Sequence, residues 1–134
     1  MFYSFDLVIP ANTPAAAPLA LDVDLAGGLV HHVELQFPRG CVGLVHVRVF
    51  HLSHQVYPAN PGGDIAGDGS LIGWGEELEL RGELTTLRLQ GWNLDDTFAH
   101  TVTFRFALTP ARGGEGASVL TPPPFPVLGT LELP

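Results

Sequence analysis

The chain has 134 residues, enough for one domain. Hydrophobic residues make up 46% and charged residues 15%, with a mean hydropathy of +0.24, and that balance excludes general disorder. Fourteen acidic residues stand against six basic ones, all arginine; the formal charge of −8 argues against nucleic acid or an anionic membrane surface as the main partner.

The signal that runs through the chain has a period of two. Tyr3, Phe5, Leu7 and Ile9 alternate with Ser4, Asp6 and Val8. Leu19, Leu21, Val23 and Leu25 alternate with Ala20, Asp22 and Asp24, and Val33, Leu35 and Phe37 with Glu34 and Gln36. Side chains of a strand point to opposite faces in turn, so each segment has one dry face and one wet face. Val42–Leu52 continues the pattern, with Val45, Val47 and Val49 on one face and His46 and Arg48 on the other. Short strands are expected at Gln55–Tyr57 and Leu71–Trp74, and further ones at Glu77–Arg81 and around Leu87 and Leu89. His100, Val102, Phe104, Phe106 and Leu108 form the longest apolar stripe. No segment has an apolar period of 3.6, and sixteen glycines with twelve prolines argue against a helical bundle.

The breaks between these runs have turn chemistry. Two prolines in Pro10–Pro14 remove ladder donors and end the first strand. Ala26-Gly27-Gly28 and Pro38-Arg39-Gly40 are turn signals, and the side chains of Asn93, Asp95 and Asp96 can bond their own backbone. Pro58–Gly69 is rich in glycine and polar groups and reads as an exposed loop. Seven to nine strands over residues 1–109 predict an all-β domain, an antiparallel β-sandwich of jelly-roll type, with an immunoglobulin-like sandwich as the alternative. Residues 110–134 differ in kind and predict an extended, Pro-rich C-terminal arm. After Phe125 and Pro126, Val127, Gly129, Leu131 and Leu133 alternate with Leu128, Thr130 and Glu132. The segment reads either as a loosely held tail or as an arm that adds a strand to a neighbour's sheet, and on the second reading Phe125, Val127, Leu131 and Leu133 are the expected subunit contacts.

Candidate chemistry is sparse. His46 and His51 fall on opposite faces of one strand, as do His51 and His54 if it continues, and His31 and His100 fall in phase with core positions. No metal is expected. The acidic turns lack the spacing of a calcium loop. Cys41 leads into an apolar strand and reads as a buried thiol, and a single cysteine forms no internal disulfide. Glu77 and Glu79 share a wet face, and Ser4, Ser53, Ser70 and Ser118 have no nucleophile motif around them, so no enzyme and no cofactor are predicted. Tyr57, Trp74 and Trp92 are the aromatics a glycan-binding sandwich would expose, or that would pack at an interface between subunits. The N-terminal residues do not read as a signal peptide, and no apolar run approaches the ~20 residues of a membrane span.

Three stretches carry a resemblance. Phe5-Asp6-Leu7-Val8-Ile9-Pro10-Ala11-Asn12-Thr13-Pro14, Gly43-Leu44-Val45-His46-Val47-Arg48-Val49-Phe50, and Gly91-Trp92-Asn93-Leu94-Asp95-Asp96-Thr97 with His100-Thr101-Val102-Thr103 resemble small β-sandwich proteins encoded among the virion genes of tailed bacteriophages. The resemblance spans residues 3–109. It implies a structural role as a capsid decoration, or cement, protein: homo-oligomeric, expected as a trimer, assembled in the host cytoplasm and bound in the virion to the major capsid protein or another virion protein. Carbohydrate binding through exposed aromatics is the alternative. Arginine without lysine, with abundant proline and leucine, also fits a GC-rich source and a thermostable product.

Overall fold

Alternation of apolar and polar side chains sets the architecture, as it must when each strand buries a single face. A computed structural model describes residues 1–111. Nine strands follow in chain order: β1 (Phe2–Ile9), β2 (Leu19–Asp24), β3 (Gly28–Gln36), β4 (Val45–His51), β5 (His54–Tyr57), β6 (Ile65–Ala66), β7 (Leu71–Leu80), β8 (Thr86–Asn93) and β9 (His100–Pro110). Among the described residues there is no helix. The expected arm, with Phe125, Val127, Leu131 and Leu133, lies outside the described residues.

Two antiparallel sheets share one core. The first has the order β1-β9-β3-β7 and the second β2-β8-β4-β5, with β6 pairing β4 beside β5. In the first sheet Leu35 lies opposite Phe104, Val33 opposite Phe106 and Val30 opposite Leu108, all at 0–1% exposure. In the second, Val45, Val47 and Val49 of β4 and Leu87 and Leu89 of β8 face them. Each such side chain stabilises the fold by roughly 1.5–3 kcal/mol through burial alone. Gly91 sits where the sheets come closest: a Cβ there would lie 2.5 Å from Ile9 Cδ1, so the missing side chain makes room for β1.

Four details differ from the sequence expectation. Leu71–Trp74 and Glu77–Leu80 belong to one ten-residue strand, β7; the half-buried Glu76 interrupts its inward apolar row, and its ladder with β3 is irregular between Gly75 and Leu78. The register of β3 shifts between Val30 and His32, and this bulge turns His31 outward to solvent rather than into the core. β4 starts at Val45, because residues 41–44 form a turn. The loop after β5 contains the short strand β6, which pairs Ile65 and Ala66 with Val47 and His46.

The pairing registers also separate the connections into two sets. Residues 10–18, 37–44, 58–70 and 94–99 gather at one end of the body, where β1, β3 and β8 finish and β2, β4 and β9 begin. Residues 25–27, 52–53 and 81–85 make short turns at the other.

Candidate functional site

The long-loop end is built around Asn93, which is fully buried. Its amide nitrogen donates to the carbonyls of Ile9 (3.1 Å) and Phe98 (2.9 Å), and its amide oxygen accepts from the Asp95 N–H (2.9 Å). Its backbone exchanges two hydrogen bonds with Thr13. Asp95 continues the network: its carboxylate accepts from the backbone of Thr97 (2.9 Å) and Phe98 (3.3 Å) and meets His100 Nε2 at 2.8 Å. The His100 hydrogen bond, followed by that from Thr97, holds the Asp95 carboxyl below the usual carboxylate range against a smaller opposing effect of burial. Asn and Asp are common in turns, but here they lock β8, β9 and the loop after β1 into one block.

That block displays large apolar side chains. Leu94 and Phe98 are exposed on the 94–99 loop, Phe98 at 65%. The Leu94 N–H donates to Leu44 O (2.9 Å), which brings in the 37–44 loop with Leu44 and Val42, the latter 70% exposed. Val42 occupies the first central position of a tight turn closed by Leu44 N–H to Cys41 O (2.8 Å), with φ of 49°, followed by Gly43 at 73°. A left-handed backbone suits Gly or Asn there; a β-branched residue costs roughly 1–2 kcal/mol. The chain thus holds a strained turn and points its valine at solvent. Cys41 beside it is fully buried, and burial, followed by the negative charges of Asp68 and Asp95, pushes its thiol up, away from nucleophilic form.

The three aromatics singled out in the sequence do not converge. Trp92 faces outward from the second sheet but is covered: the His46 ring stacks on it at 5.4 Å and 7°, and the Arg48 guanidinium lies 4.6 Å from the ring centre. His46 is in turn held by Asp64 at 2.6 Å. Tyr57 and Trp74 do meet, edge to face at 5.4 Å, where β5 and β7 border the open side of the sandwich. Tyr57 is buried and Trp74 half-buried, with its indole N–H donating to Glu76 (3.0 Å). The expected exposure is therefore corrected for Tyr57 and Trp92, which offer no free ring face, while Trp74 stays half-exposed. The Tyr57 hydroxyl has no hydrogen-bond partner among the described residues, and burial, followed by the charge of Glu76, pushes the phenol's pKa far up.

A shallow groove of about 510 Å³ lies on the outer face of the second sheet, lined by Asp22, Phe50, Leu52, Ser53, Thr86, Arg88 and Gln90. Arg88 grips Asp22 through two nitrogens at 2.8 and 3.1 Å. Both groups are more than half exposed, so the pair shapes the groove and contributes little to stability. Among the described residues no three His, Cys, Asp or Glu side chains gather as a metal cluster.

In the sequence Val42 lies between Gly40 and Gly43 and Phe98 follows the turn-forming run Asn93–Thr97, which are signals for apolar residues on turns, although the alternation places Val42 at the start of a strand. What sequence alone could not show is that both loops reach the same end. No protein-family model matches the chain, and no curated protein matches it significantly.

Proposed function

We propose that the protein is a non-enzymatic virion structural protein of the decoration type, a jelly roll that self-associates and binds a capsid lattice. Strand pairing supports the jelly-roll part of this reading. β4 pairs β5, β3 pairs β7, β2 pairs β8 and β1 pairs β9. Such nested pairs, dealt alternately to two sheets, are what a long hairpin gives when it is wound into a jelly roll. That fold serves viral shells and sugar-binding domains alike, so the fold by itself assigns no task. The rigid loop end with Val42, Leu44, Leu94 and Phe98 exposed favours a protein contact. The partners on this reading are copies of the same chain, as a trimer, and the major capsid protein or another virion protein. The virion is the expected location.

Light scattering on the full chain tests it: a trimer of the 14.3 kDa chain is expected, and a monomer at the highest soluble concentration overturns self-association. Co-sedimentation with shells of the major capsid protein tests the lattice role separately. Shells that leave the protein in the supernatant remove that role.

The groove on the second sheet favours a second reading, a carbohydrate-binding module. Phe50 supplies an aromatic ring, and Asp22, Arg88 and Gln90 supply hydroxyl-binding groups. A glycan array decides it: saturable binding lost in Phe50→Ala would establish sugar recognition, and no binding would dismiss it.

A further inference from the structure

One border of the sandwich lies between β5 and β7, where Tyr57 and Trp74 meet. β7 is the last strand of the first sheet: it bonds β3 on one side, and among the described residues no strand pairs with its other side. Beneath that edge lies a slot of about 280 Å³, lined by Val56, Tyr57, Ile65, Ile72, Trp74 and Glu76. Tyr57 is 3% exposed, and its hydroxyl has no partner among the described residues. A strand laid against β7 would extend the first sheet by one place, and alternate side chains would descend into this slot as a further row of the core. The edge is receptive along half its length. Glu76, Glu77 and Glu79 guard the second half with charge, whereas Leu71–Gly75 carries none.

We propose that the β7 edge at Leu71–Gly75, with its slot, accepts residues 127–133 of a neighbouring copy. The inference rests on the self-association reading and names the surface that receives the arm. Val127, Leu131 and Leu133 repeat at the two-residue spacing a slot beneath a strand requires, and Glu132 is the segment's single charge. The described chain stops at Ala111, whose N–H donates to Gly27 O; the next residue, Gly28, lies opposite Leu80 at the far end of β7. Residues 112–126 separate that point from the segment and can span up to ~50 Å at ~3.3–3.6 Å each. That exceeds the ~33 Å length of β7, so the segment can reach another molecule. Four of residues 122–126 are proline, a composition that stiffens a linker and works against an immediate return to the same body.

The test uses the full chain and a full-length Val127→Asp/Leu131→Asp variant, whose changes lie outside the described body. Hydrogen exchange reports those amides of Leu71–Gly75 that point away from β3, alternate ones in the ladder, and light scattering reports the oligomer. The wild type should be oligomeric, with these amides protected at least ~10-fold more than in the variant, which should be monomeric. Loss of protection in a variant of an already monomeric wild type would mean that the arm returns to its own body, and the neighbouring-copy assignment falls. An oligomer whose β7 amides are unprotected in both proteins would leave self-association standing and overturn this acceptor. An oligomer untouched by the variant, with protection unchanged, would point to an unrelated strand on this edge and overturn the assignment equally.

Discussion

The two ends of the body are made differently. At the short-turn end, residues 25–27, 52–53 and 81–85 connect strands with little more than the chain needs to reverse. Leu52 and Leu84 are exposed there, and local hydrogen bonds hold the turns: His51 Nε2 to Leu84 O at 2.9 Å, the Ala26 N–H to the Tyr3 hydroxyl at 3.0 Å and the Leu25 N–H to Thr85 O at 3.1 Å. At the long-loop end a buried amide, a carboxylate and an imidazole bind several connections into one block, and the block spends part of its stability on a left-handed valine. Exposed leucines occur at both ends, so apolar exposure by itself does not mark a contact surface. Strain does not separate them either, since Leu52 and Ser53 are left-handed like Val42 (φ 53° and 65°). The buried hydrogen-bond network behind the long loops does, because a preorganised surface loses less conformational freedom when it binds.

Substitutions can break or sharpen that contrast. The largest effect is expected from Asn93→Ala, which strips partners from two carbonyls and an N–H at once. About 3 kcal/mol of destabilisation should appear in urea denaturation, while Ser53→Ala at the other end should stay within about 0.5 kcal/mol. Equal effects would erase the distinction. Asp95→Asn should cost less than Asn93→Ala and show a pH signature. The folded-state carboxyl titrates below its unfolded value of about 3.9, so its contribution is complete above that pH and disappears as pH falls through the lowered value. The gap in melting temperature between wild type and variant should therefore be constant near neutrality and close in acid. A gap that widened in acid would contradict the role given to His100. Val42→Asn should raise stability by about 1 kcal/mol, since Asn tolerates the turn conformation, and should weaken self-association. A variant both more stable and fully assembled would remove Val42 from the contact. Phe98→Ser with Leu94→Ser should change stability least, by about 0.5 kcal/mol or less. It should nevertheless lower the oligomer mass in light scattering, whereas Leu52→Ser with Leu84→Ser should not.

Much of the fold was legible because one-sided burial writes itself as alternation. Val45, Val47 and Val49, and the run from Val102 to Leu108, face the core as their spacing required. Legibility failed where the chain departs from that rhythm. Glu76, a carboxylate in the inward row of β7, hid the continuity of that strand, and the bulge after Val30 moved His31 to the surface. The turn chemistry of Asn93 was readable, but its complete burial was not, since that follows from β1 and the 94–99 loop closing over it. The candidate sites were less legible still. Tyr57 and Trp74 stand on different sheets, and their meeting depends on which strands occupy the two borders, a fact of strand order that no single segment encodes.

The position of β9 has a consequence for how the molecule comes into being. The strand synthesised last of the nine lies in the interior of its sheet, between β1 and β3. Until about residue 110 has left the ribosome, the first strand has nothing to bond, and its alternate aromatics, Tyr3 and Phe5, wait uncovered. Only the β4–β5 hairpin can close early, and the remaining pairs span progressively longer stretches of sequence outward from it. Such non-local pairing is slow, typically milliseconds to seconds, and leaves nascent edges open to one another while it lasts. That interval is the period of the chain's greatest exposure to misassembly.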